Sequence, residues 1–307
     1  MVAIPLLVLC FYGVRRHYGK VARRLRAGVS AVAAAPAATN RVVLYVESYD
    51  AALQEAVWYA RQIAGDRFDA IHVPGRHSDP GILPRFRQLT GMQPDLEVVT
   101  PEDGRVEAII EYLWALPRGE SSFITMVVPE LFRHRSFASA LRRPEFSVKL
   151  RLLREPGVVV TDVPLLAPAG ELALPRRAVC RILVSGAHAA SMRAANYAST
   201  LRIQDTRAVS FAFDGDEADQ LRTEWAVKNM PVPLEIEEAP FRDIGDPLRT
   251  YIREITADPE AIAVLVMPEL VFSGLSRTLH NQRALYIKRL LLFEPRVILA
   301  SVPYRLD

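Results

Sequence analysis

The chain repeats itself at a constant offset, and this limits the folds open to it. Residues 127–164 read VVPELFRHRSFASALRRPEFSVKLRLLREPGVVVTDVP, and residues 266–303, 139 positions on, read VMPELVFSGLSRTLHNQRALYIKRLLLFEPRVILASVP. Pro129, Glu130 and Leu131 fall on Pro268, Glu269 and Leu270. Lys149 falls on Lys288, Glu155–Pro156 on Glu294–Pro295, and Val163–Pro164 on Val302–Pro303. No gap is needed, as expected of a duplicated unit. Upstream the offset is 138, with Tyr59–Ala60 on Tyr197–Ala198 and Leu96–Glu97 on Leu234–Glu235.

Each unit alternates apolar runs with helical patterns. In the first, 41–46, 68–73, 96–99, 123–128 and 158–163 read as strands. Helices are expected near 50–63, 83–89 and 105–116, then in a long amphipathic stretch that turns Val148, Leu152 and Leu153 inward. Pro129 is expected to end the fourth strand, because it has no N–H to give a central ladder. Glu155 precedes a proline and closes the last helix. Strands apolar throughout are the mark of a parallel sheet covered on both faces. The predicted class is therefore α/β, with two tandem doubly wound, five-stranded parallel sheets of order 3-2-1-4-5. An apolar contact between the halves is expected through their last helices, which carry Leu285, Tyr286 and Leu290.

The formal charge of +3 conceals an asymmetry. Arg15, Arg16, Lys20, Arg23, Arg24 and Arg26 supply six positive charges and residues 1–40 hold no acid, so the remainder carries −3. That excludes a basic nucleic-acid-binding body. The two cysteines, Cys10 and Cys180, suggest neither a disulfide nor a metal set. Residues 1–13 (MVAIPLLVLCFYG) are uncharged and precede the basic cluster, the reverse of a signal peptide. They are fewer than the roughly 20 residues a bilayer needs. The reading is the cytosolic end of a transmembrane helix, with the basic flank marking the cytoplasmic face. The predicted divisions are 1–26 (helix end and juxtamembrane segment), 27–39 (a small-residue linker), 40–164 (first repeat), 165–177 (linker) and 178–307 (second repeat).

The order of elements in both halves resembles the universal stress protein fold. The segments LCFYGVRRHY, YVESYDAALQEAVWYAR, IHVPGRH, VPELF and HNQRALYIKRLLLFEPRVILASVPY are similar to the C-terminal cytoplasmic region of bacterial, especially actinobacterial, amino acid–polyamine–organocation superfamily permeases. The cytoplasmic domains of cation–chloride cotransporters are similar in layout. The resemblance implies a non-enzymatic cytoplasmic regulatory or assembly module of an amino acid permease-type transporter, at the cytoplasmic face of the cell membrane. Its partners would be the transporter's membrane domain, the anionic membrane surface and a second copy in a homodimer, with no nucleic acid. The alternative is a soluble sensor binding a nucleotide or other small ligand. ATP-binding stress proteins carry a glycine-rich run after the fourth strand, whereas this chain has Pro129–Glu130–Leu131 and Pro268–Glu269–Leu270. Proline removes a donor and glutamate repels phosphate.

No catalytic, cofactor-binding or metal residues are assigned, and no cofactor. Glu130 and Glu269 could be paired carboxylates at a switch point; the simpler reading is that each caps a helix or pairs with an arginine such as Arg133. Lys149 and Lys288 read as parts of a solvated basic face. His72, His77 and Asp79 do not recur in the second copy, and Ser273 stands where the first copy has His134. Ser185–Gly186 lacks the frame of a hydrolase elbow.

Overall fold

The computed structural model describes residues 12, 15–16, 19–33, 38–75, 78–117, 119, 122–167, 174–239, 243–272 and 282–306. After a short helix α1 (Val29–Ala33), the first repeat comprises β1 (Asn40–Tyr45), α2 (Ala51–Ala64), β2 (Phe68–His72), α3 (Ile82–Thr90), β3 (Leu96–Val98), α4 (Arg105–Ala115), β4 (Phe123–Phe132), α5 (Phe137–Leu141), α6 (Pro144–Leu152) and β5 (Val158–Leu166). The second comprises β6 (Arg177–Leu183), α7 (Ala189–Ala198), β7 (Thr206–Ala212), α8 (Gly215–Val227), β8 (Leu234–Glu238), α9 (Gly245–Thr256), β9 (Ala261–Phe272), α10 (Gln282–Leu291) and β10 (Val297–Leu306).

Local chemistry sets these boundaries. Asp50 caps α2 by accepting from the Leu53 N–H at 3.2 Å, and His188, at the equivalent position, caps α7 through the Ser191 N–H at 3.3 Å. Arg142 and Arg143 interrupt the long helical stretch, and Pro144 restarts it as the first residue of α6. Val148, Leu152 and Leu153 are buried as the sequence predicts.

Each repeat is a parallel sheet of order 3-2-1-4-5, and the two join into one ten-stranded sheet, β3-β2-β1-β4-β5-β10-β9-β6-β7-β8. The join is the antiparallel pair β5–β10, with Leu299 opposite Asp162, Ala300 opposite Thr161 and Ser301 opposite Val160. Thr161 and Ala300 are separated by the repeat offset of 139, so equivalent residues face each other. A pseudo-two-fold axis therefore passes through that pair, and the two last strands close each other's open edge.

Both faces of the sheet are covered. On one face a single apolar core runs across the seam, with Val159, Val163, Ile298 and Ala300 packed against residues of α2 and α7. On the other face one apolar cluster gathers the second repeat's core together with Phe132 and Ala140 of the first, with Phe132 edge-to-face on Phe293 at 5.4 Å, and a separate cluster lies wholly within the first repeat. The contact between halves thus lies in strand pairing, in the α2/α7 core and, as expected, beside the last helices, where Ile287, Leu291 and Leu292 cluster with Phe132 and Ala140. Leu290 packs partly into the second-repeat core, whereas Tyr286 is 43% exposed and its hydroxyl bonds Asp243 at 3.2 Å.

One expectation needs correction. Pro129 does not end a strand: β4 continues to Phe132, pairing with β5 as far as Phe132 opposite Leu166. The pairing with β1 has stopped at Val127, so beyond it β4 has a neighbour on one side only. A proline is tolerated there, as on any edge. In the segment predicted as a small-residue linker, α1 docks on the second repeat, with Val29 against Ala189 and Met192. Residues 19–27 are helical too, and Val21 and Leu25 pack on Ala190 and Leu306. The apolar run 1–11 lies outside the described residues. Among those described, no helix is long and apolar enough to cross a membrane.

Candidate functional site

The repeated glutamates and lysines are brought together. Glu130 stands near the end of β4 and Lys149 on α6, and their Oε2 and Nζ atoms are 2.7 Å apart. Lys149 Nζ also lies 2.8 Å from Asp162 Oδ1 on β5. The carboxylates are each 3% exposed and the ammonium 11%. In the second copy Lys288 Nζ meets Glu269 Oε1 at 2.8 Å, and Ser301, which replaces Asp162, bonds the same oxygen at 2.5 Å. Neither glutamate caps a helix or uses Arg133, and neither lysine sits on a solvated face. Both lysines line one cavity of about 30 Å³ at the seam, room for a water molecule or so.

The charges are matched unequally. Burial holds Glu130 above the usual carboxylate range despite Lys149, and the charge of Asp162 adds to that rise. Burial opposes the charge of Lys149, yet Asp162 and Glu130 together hold it above the ordinary lysine value. Both directions describe one ammonium shared between two carboxylates. The second copy has one carboxylate for one ammonium.

The carboxyl ends of the strands, where open α/β sheets take ligands, differ between the copies. In the first, Arg105 at the start of α4 pairs with Glu47, which follows β1, its Nη1 lying 2.5 Å from Glu47 Oε1. Burial, then a hydrogen bond with Glu145, raises Glu47 to about 7. In the second, a cavity of about 280 Å³ opens beside Ser185, His188 and Ser210, and Arg26 of the N-terminal helix closes one side of it. Glu224 and Lys228 line the same cavity; they pair at 3.1 Å, and Lys228 also donates to the Ala187 carbonyl at 2.5 Å.

The other residues considered from sequence have structural places. His72 is 3% exposed and its Nδ1 lies 2.7 Å from the Val46 carbonyl oxygen. Asp79 accepts from the Gly81 N–H at 2.8 Å and pairs with Arg85 at 3.0 Å. His134 is exposed between Arg133 and Arg135, while His77, Ser273 and Cys10 lie outside the described residues. Ser185–Gly186 forms the turn before α7, where the Gly186 carbonyl accepts from Ser191 Oγ at 2.7 Å. Cys180 is buried, and burial pushes its thiol up to about 12, which removes it as a nucleophile. Among the described residues, no group of three or more His, Cys, Asp or Glu is placed to hold a metal ion.

The buried Asp162 went unnoticed in the sequence, although an acid inside the run VVVTDV demands a partner. The Glu–Lys pairing also had a signal. Glu130 to Lys149 and Glu269 to Lys288 span the same 19 residues, so both charges recur together.

Comparison with known families follows the same two-part division. The pattern of the KimA potassium transporter C-terminal domain matches residues 38–165 and again residues 176–304. Comparison with curated proteins gives no match. The two matched stretches are the two halves of the fused sheet, each with its own buried Glu–Lys pair, and the chain belongs to the family of KimA potassium transporter C-terminal domains.

Proposed function

We propose that this chain is the non-enzymatic cytoplasmic module of a membrane transporter, acting in regulation or assembly of the transport core. The observation that carries it is the family match across both repeats. Potassium is the cargo to which the family's description points; the likeness to amino acid permeases concerns the same C-terminal placement. The docked N-terminal helix supports a coupling role. Its Val21 and Leu25 sit on Ala190 of α7 and Leu306 of β10, so a displacement of that helix is felt at the second repeat and at the seam strand. The basic residues of the same helix suit the anionic inner face of the cell membrane, at about 1 kcal/mol each near the surface.

The test is potassium uptake by the transporter that carries this domain, against the same transporter without residues 38–307. A regulatory role predicts a changed uptake rate at equal membrane abundance, and an assembly role predicts lost abundance. Unchanged rate and abundance would overturn the proposal. The second reading, a sensor of a small ligand, is favoured by the 280 Å³ cavity at the carboxyl ends of β6 and β7.

A further inference from the structure

The two-fold relation supplies an internal comparison at the turn that precedes each seam strand. Gly157, before β5, corresponds to Arg296, before β10, and both have left-handed backbone, with φ of 75° and 56°. On the helices, Arg193 of α7 corresponds to Glu55 of α2 at the offset of 138. Each helix residue lies against the turn of the other repeat. On one side Glu55, 5% exposed, is raised to about 7 by burial, and the charge of Arg296 opposes that rise. Arg296 itself donates to the Thr256 carbonyl. An acid and a base of this chain therefore face each other across that side.

The other side lacks this complement. The turn residue is glycine, and a cavity of about 260 Å³ opens there, bounded by Gly157, Glu155, Arg193, Pro303, Tyr304 and Arg305. Leu165 and Leu166 stand in the first repeat where Tyr304 and Arg305 stand in the second. Arg193 donates through Nε to the Pro303 carbonyl at 3.1 Å, and its guanidinium lies 4.9 Å from the Phe123 ring centroid. Among the described residues it has no acidic partner, and burial draws it below the ordinary arginine value. Arg305 donates to the Arg154 carbonyl and likewise pairs with no described acid. Glu155, the carboxylate in the wall, is already taken by Arg151 at 2.6 Å and Trp114 Nε1 at 3.0 Å.

Two guanidinium groups thus converge on a cavity with no free countercharge, at a position where the sister copy holds an acid and a base. We propose that this cavity binds a doubly charged anion of the phosphate class, held by Arg193 and Arg305. The planar fork of arginine suits phosphate oxygens, and two such forks match two charges. Arg193 already gives its Nε–H to the Pro303 carbonyl, which leaves its terminal N–H groups to serve the anion. The inference does not rest on the transporter reading.

The test is calorimetric titration of the 307-residue chain with inorganic phosphate, with acetate at equal ionic strength as control. Phosphate stabilises proteins generally, so binding is read from heat and not from melting temperature. The expected result is one saturable phosphate site, with acetate much weaker. Arg193→Gln weakens it by about tenfold or more, the scale of a hydrogen bond to a charged group. Arg305→Gln, at an exposed position, weakens it without touching the core, and Arg193→Lys retains part of the affinity because charge survives without the fork. Glu55→Gln, on the sister side, leaves it unchanged. Absence of a saturable site, or equal affinity in the wild type and both glutamine variants, overturns the proposal. Phosphatidate-containing vesicles then identify the source. Vesicle binding lost with Arg193→Gln assigns a lipid headgroup, whereas vesicle binding kept while phosphate binding is lost assigns a soluble phosphate.

Discussion

Replacing Lys149 with methionine is expected to destabilise the fold by about 3–5 kcal/mol, the cost of stripping one partner from a buried ion pair. Methionine is one atom shorter and similar in shape, so the loss reads chiefly charge and not volume. It leaves Glu130 and Asp162, each 3% exposed, facing one another without an ammonium. Lys288→Met should cost less, because it strands only Glu269, which keeps the Ser301 hydroxyl at 2.5 Å. The ranking is the informative part. Unfolding in urea at neutral pH measures it. The Lys149→Met loss should shrink as pH falls, since protonation removes the repulsion between the two carboxylates. A loss below about 1 kcal/mol for Lys149 would place it on the surface in energetic terms, and equal losses for the two lysines would contradict the ranking.

Placing aspartate at Ala300 is expected to break the seam. Ala300 is fully buried, faces Thr161 on the pseudo-two-fold axis and packs into the core that crosses from one repeat to the other. A charge there has no counterion, and burying one costs several kcal/mol even after relaxation. The group escapes part of that cost by taking up a proton. Unfolding should therefore be weakened by several kcal/mol at neutral pH and by less in mild acid, and the two repeats should lose their common transition. Ala300→Thr, which puts the same residue on both sides of the axis, should stay within about 1–3 kcal/mol, as an overpacked core position does. An aspartate variant that unfolds like the wild type in one step would show that the repeats do not depend on this pair.

The duplication, the strand order within each repeat and the inward face of α6 were legible because they rest on local pattern: constant offset, apolar runs and the spacing of Val148, Leu152 and Leu153. The seam was not, because strand pairing between units leaves no periodic signal. One clue was present. Residues 158–163 and 297–302 are outermost strands of their sheets, yet they carry none of the lysines that protect a free edge. Pro129 misled for a related reason: a proline excludes a central ladder only where a neighbour stands on the side of its missing N–H, and β1 has already stopped pairing there. The Glu–Lys pairs were missed because an Arg- and Lys-rich helix normally points its charges to water. The equal 19-residue spacing in both copies was the evidence against that reading. The N-terminal segment packs through Val21, Leu25 and Val29, spaced four apart across the turn at Gly28, although the small residues from 27 on look like a linker.

The central claim is that two copies of one transporter-domain unit form a single sheet through β5 and β10. Amide hydrogen exchange resolved by residue tests it most directly. The account predicts that Val160, Thr161, Leu299 and Ala300 exchange as slowly as Val43 in β1 and Ile182 in β6, since all lie within paired strands of one sheet. Fast exchange along β5 and β10, at the rate of the outermost strands β3 and β8, would show two separate sheets with open edges and contradict it.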